Sequence, residues 1–134
     1  MPLEVWIVTP PTAGERRKAF RRRAVSFGWD GYYEYLQGFW PQSSSTGVPI
    51  DLYGTTHFEG AMLAQLRASL LRARMALQHR PSSWKAHIGR QTHPVQKEMY
   101  SLVKREKLET IIGELLAAVD DAERRRGRVI FEGD

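Results

Sequence analysis

Four histidines, His57, His79, His87 and His93, are the side chains best suited to proton transfer or metal ligation near neutral pH, and the chain has no cysteine. Their spacing argues against a metal centre. His87 and His93 flank a turn, and no pair follows the H-x-x-x-H or H-E-x-x-H pattern that sets two imidazoles on one helical face. Asp30, Asp51, His57 and Glu59 surround an aromatic-rich stretch and hold the ingredients of an acid–base cluster. His57 and Glu59, however, also fit a helix-start signature. The sequence contains no G-x-S-x-G elbow, no phosphate-cradling glycine loop and no G-x-G-x-x-G fingerprint. These observations predict a non-enzymatic protein with no catalytic residue, no metal and no cofactor.

Binding chemistry is better represented. Of 20 basic residues, 15 are arginine, set against 15 acids, and the isoelectric point is near 9.8. The excess is local: residues 57–90 hold six basic side chains against Glu59 alone. Such a stripe suits an acidic partner protein or nucleic acid, or it is simply a solvated face. Arg16, Arg17, Lys18, Arg21, Arg22 and Arg23 form a second cluster able to grip phosphates. No helix-turn-helix, RNA-recognition or zinc-finger signature accompanies it, so nucleic-acid binding is the alternative reading. Residues 29–40 are dense in aromatics, which serve either as core filling or as interface anchors, where Trp, Tyr and Arg dominate. The partner-binding residues expected from sequence are Trp29, Tyr32, Tyr33 and Trp40, together with Arg67 and Arg74.

The elements that must position these groups follow from periodicity. With 134 residues the chain has the length of one domain, and its 42% hydrophobic content is that of a globular protein. No apolar run reaches the roughly 18 residues that span a bilayer, and no signal peptide is visible, so a cytoplasmic location is expected. Residues 3–8 read as an interior strand stopped by Pro10-Pro11. Residues 12–26 are helix-compatible, with Phe20, Ala24 and Phe27 as the apolar line, and residues 42–47 form a Ser-rich loop. Thr56-His57-Phe58-Glu59 matches the capping box, which predicts a helix over 57–78. Met62, Leu63, Leu66, Leu70, Ala73 and Leu77 give that helix one stripe, and Ala64, Ala68, Leu71 and Met75 a second, with Arg67 and Arg74 between them. Residues 84–88 and 97–103 predict a hairpin. Residues 104–125 predict the cleanest amphipathic helix, ended by Gly127, and residues 128–131 a last strand. The expected fold is α+β, a small and mostly antiparallel sheet packed with two long amphipathic helices.

The C-terminal part has a further likeness. The strand from Trp84 to Gly89, the strand leading into Lys104, the helix Leu-x-x-Ile-Ile-x-x-Leu-Leu-x-x-Val-x-x-Ala and the ending Gly127-x-x-Ile130-Phe131-x-Gly133-Asp134 resemble small bacterial immunity-type proteins. The resemblance covers residues 54–134. It implies a cytoplasmic protein that binds and neutralises a cognate secreted toxin one to one. The basic charge then favours a toxin whose binding face is acidic over a nuclease, which favours acidic inhibitors.

Overall fold

The computed structural model describes residues 3–10, 20–28, 30–41, 50 and 54–133. Strand β1 (Leu3–Thr9) alternates strictly, with Leu3, Val5, Ile7 and Thr9 buried and Glu4, Trp6 and Val8 on the opposite face. It lies inside a four-stranded antiparallel sheet of order β2-β1-β6-β3, formed with β2 (Phe20–Phe27), β6 (Arg128–Glu132) and β3 (Thr55–Glu59). The registers Val5↔Phe131, Ile7↔Val129, Thr56↔Phe131 and Phe58↔Val129 set one apolar face across three strands. Helix α2 (Ala61–Leu77) and helix α3 (Arg105–Arg124) cover that face, buried through Leu63, Leu66, Leu70 and Leu77 and through Leu108, Ile112, Leu115 and Val119. The architecture is therefore α+β, as the periodicity predicts.

Two predicted elements come out differently. The segment read as helix-compatible contains β2, a strand, while residues 12–19 lie outside the described residues. The i, i+4, i+7 line of Phe20, Ala24 and Phe27 competes there with the alternation of Val25 and Phe27. Pairing from Leu3↔Phe27 to Thr9↔Phe20 satisfies the backbone in the extended form, with one register shift beside Val5 and Trp6. The predicted capping box is likewise strand β3, because Thr55 through Glu59 pair with β6. The turn falls one residue later at Gly60, whose φ of +56° lies in the region that favours glycine, and α2 begins at Ala61.

Helix α1 (Gly31–Gln37) emerges from the aromatic stretch. Asp30 caps it, accepting from the Tyr32 and Tyr33 amides at 3.0 and 3.1 Å. It packs beneath a separate two-stranded hairpin, β4 (Ser83–Gln91) with β5 (Lys97–Lys104). The approach is close: a Cβ on Gly31 would meet Val103 Cγ2 at 2.3 Å.

The end of α3 also corrects the expected cap. Gly127 donates to Ala122 and Arg126 donates to Glu123, which is a Schellman closure. The left-handed residue is Arg126, at φ 55°, rather than Gly127. Glycine is required at 127 for space, since a Cβ there would sit 2.4 Å from the Val8 carbonyl oxygen.

Candidate protein-docking surface

The aromatics expected to meet a partner are core. Tyr32, Tyr33 and Trp40 are buried, and Trp29 lies outside the described residues. Tyr33 meets Phe27 edge-on at 5.9 Å, and Trp40 meets Phe131 at 5.4 Å, tying α1 to the sheet. Burial pushes the Tyr33 hydroxyl above its ordinary range, with the Trp40 indole opposing the shift. The Tyr32 hydroxyl accepts from the Lys104 amide at 3.2 Å, and the Tyr35 hydroxyl donates to the Ala73 carbonyl at 2.8 Å. Tyr32, Tyr33 and Trp40 are thus used inside the fold, and Tyr35, partly buried, fastens α1 to α2. The sequence alone leaves both uses open, because core and interface aromatics share a composition.

The acid–base grouping is also dispersed. Asp30 is spent on the α1 cap, His57 and Glu59 face outward on β3 opposite Ile130 and Arg128, and Asp51 lies outside the described residues. Among the described residues no three His, Asp or Glu side chains come together as a metal site would require. His87 and Arg90 both engage Glu98 across the hairpin, Arg90 at 2.8 Å. Those contacts, that of His87 foremost, hold the Glu98 carboxyl below its ordinary range.

Arg67 and Arg74, seven residues apart on α2, have different fates. Arg67 reaches across to α3 and binds Glu123 at 2.7 Å together with Asp120. These two carboxylates, Glu123 first, drive its guanidinium still further into the charged range. Arg67 is thus a clamp between two helices, half-buried and occupied. Arg74 is exposed and has no carboxylate partner among the described residues.

Between and beside them lies a surface that sequence reading half anticipated. The first stripe of α2 is buried apart from Met62, and Ser69 is buried beside it. The second stripe points away from the core: Met75 is 69% exposed and Leu71 39%, with Ala64 and Ala68 also exposed. At about 100° per residue, Arg74 flanks this stripe on one side and Arg72 on the other. Arg72 donates to Ser69 Oγ at 3.1 Å, and α2 holds no acid from Ala61 to Leu77. The result is an apolar ridge edged by cations. Such a ridge gains from desolvation by a matching apolar surface and from carboxylates placed on both sides.

The second basic cluster is more self-contained. Arg21 binds Glu132 and lies over the Trp6 ring at 4.2 Å, Arg23 faces Glu4 at 3.3 Å, and Arg22 stands 3.8 Å from Asp121. Arg16, Arg17 and Lys18 lie outside the described residues. Compared with known proteins, this chain matches no family model, no curated protein and no solved structure.

Proposed function

We propose that this chain is a non-enzymatic binding protein, an immunity-type partner that seats and neutralises a secreted bacterial toxin, with the outer face of α2 as the contact. One observation carries the reading: Leu71 and Met75 stand exposed between Arg72 and Arg74 on a helix without acids. A folded chain that buries one stripe of α2 and leaves a second apolar stripe open has a surface suited to a partner. The flanking cations select for an acidic one. Charge complementarity of this sign favours a toxin acting on peptidoglycan, nucleotides or proteins, because a nuclease presents a basic substrate face.

The alternative, a basic nucleic-acid-binding protein, draws on the same cations of α2. It is second because Arg21, Arg22 and Arg23 each face a carboxylate. Titration with a mixed duplex or RNA at low salt separates the two readings: the alternative requires binding at micromolar protein that weakens steeply with ionic strength, in proportion to the phosphates neutralised.

The test is co-expression with the product of the adjacent gene. A tight one-to-one complex and restored growth are expected, both diminished by Leu71→Asp with Met75→Asp. Protection of cells without formation of a complex contradicts the proposal.

A further inference from the structure

Among the described residues the two sheets have four strand edges, and three of them carry devices that discourage pairing with another chain. β2 has a register shift against β1 and exposes Arg21, Arg22 and Arg23. β3 is only five residues long and exposes His57 and Glu59. β4 is bulged between His87 and Gly89 and exposes Lys85 and Arg90. Bulges, charges and short length are the usual protections of an edge. β5 is different. It runs without irregularity from Tyr100 to Lys104 against β4, and Tyr100 and Leu102 are 58% and 54% exposed.

The backbone of β5 is directed for pairing. The Arg105 amide donates to Ser82 on the β4 side at 3.0 Å, whereas the Lys104 amide points the other way, to the Tyr32 hydroxyl. Alternation along an antiparallel strand then turns the N–H and C=O groups of Leu102 and Tyr100 toward the open edge. The sequence of this edge is also complementary to itself. Folded back antiparallel about Ser101, it sets Glu98 opposite Lys104, Tyr100 opposite Leu102, and Ser101 opposite its own copy.

We propose that β5 pairs with β5 of a second copy of this chain, joining two hairpins into one four-stranded antiparallel sheet about a two-fold axis at Ser101. In this register Tyr100 and Leu102 of each copy exchange their edge hydrogen bonds. Each pair brings an aromatic ring against an aliphatic side chain, and at each end Lys104 approaches the Glu98 that the other copy already holds with His87 and Arg90. Ser101 falls at a non-hydrogen-bonded position, where the two Cα atoms come closest. This inference is independent of the toxin reading, which concerns α2.

The full-length chain tests it in two ways. Sedimentation across a range of micromolar concentrations is expected to show a monomer–dimer equilibrium. Lys104→Glu should weaken it by about tenfold, since two attractive charge contacts become repulsive, whereas Lys85→Glu on β4, away from the β5 edge, should leave it unchanged. Because the chain has no cysteine, Ser101→Cys provides a single thiol. Under mild oxidation it should give a disulfide-linked dimer, whereas Lys97→Cys should not, because position 97 lies far from its own copy in this register. A chain that stays monomeric throughout overturns the proposal. So does a dimer indifferent to Lys104→Glu, or one that crosslinks equally at both positions.

Discussion

The four-stranded sheet with α3 and the hairpin with the outer side of α2 are built to opposite ends. In the first region nearly every group is answered within the chain. β1 lies between two partners, Arg21 covers Trp6, and Arg22, Arg124 and Arg125 converge on Asp121. In the second, Tyr100, Leu102, Leu71 and Met75 stand in solvent although the same chain buries comparable residues a few positions away. Stability and availability for binding are thus divided between regions. The first holds the fold, and the second leaves large apolar side chains in solvent.

The largest expected effect breaks the closed region. Leu115 is buried in the middle of α3, and Leu115→Ala should cost about 2–5 kcal/mol by chemical denaturation, through lost burial and the cavity left behind. Next come two glycines that differ in what they touch. Gly127→Ala drives a methyl into the Val8 backbone, which cannot yield, so a loss of about 1–3 kcal/mol is expected. Gly31→Ala meets the Val103 side chain instead. Because Val103 is itself wholly buried, the double variant with Val103→Ala should lose less than the two single losses added together, whereas no side-chain change should rescue position 127. The two double-variant comparisons, read by thermal melts, locate where the packing is rigid.

A smaller effect of opposite sign is expected at Arg126. A side chain at φ 55° carries a penalty of about 1 kcal/mol that glycine avoids, so Arg126→Gly should raise the melting temperature. The smallest effect is electrostatic. Arg124 foremost, with Arg125 and Arg22, holds the Asp121 carboxyl below its ordinary range. A depressed folded value means that stability is present above the unfolded pKa of about 3.9 and is lost as pH falls through the folded value. Asp121→Asn should therefore cost up to about 1 kcal/mol near neutral pH. That difference should close on acidification below the carboxylate range.

How far these regions were legible in the sequence follows from the range of the interactions involved. α3 and the hairpin are encoded locally, by seven apolar residues on one arc and by two alternating runs around a turn, and both stand where periodicity puts them. β2 and β3 depend on partners far along the chain. Val25 and Phe58 become strand residues because β1 and β6 are beside them, and the local patterns of helix line and capping box are overridden. The same limit applies to the candidate surface. The two stripes of α2 were readable, but which one faces the core was not. Arg67 looked like an interface cation because Asp120 and Glu123, more than fifty residues away, cannot be placed beside it from spacing. Core filling was one of the two uses open to the aromatics of residues 29–40, and burial of Tyr32, Tyr33 and Trp40 is decided by Phe27, Phe131 and the hairpin closing around them.

The proposal that the open stripe of α2 is the working surface is tested most directly by calorimetric titration of the adjacent gene's product, the toxin that the proposal requires, with this protein and with its Leu71→Asp, Met75→Asp variant. Both side chains lie outside the core, so the variant should stay folded, with a loss of about 1–2 kcal/mol from two aspartates in the second half of α2. The parent should bind one to one, and the variant should bind at least about 30-fold more weakly, as expected when central interface anchors are lost. Equal affinity of the two proteins for the toxin would contradict the account.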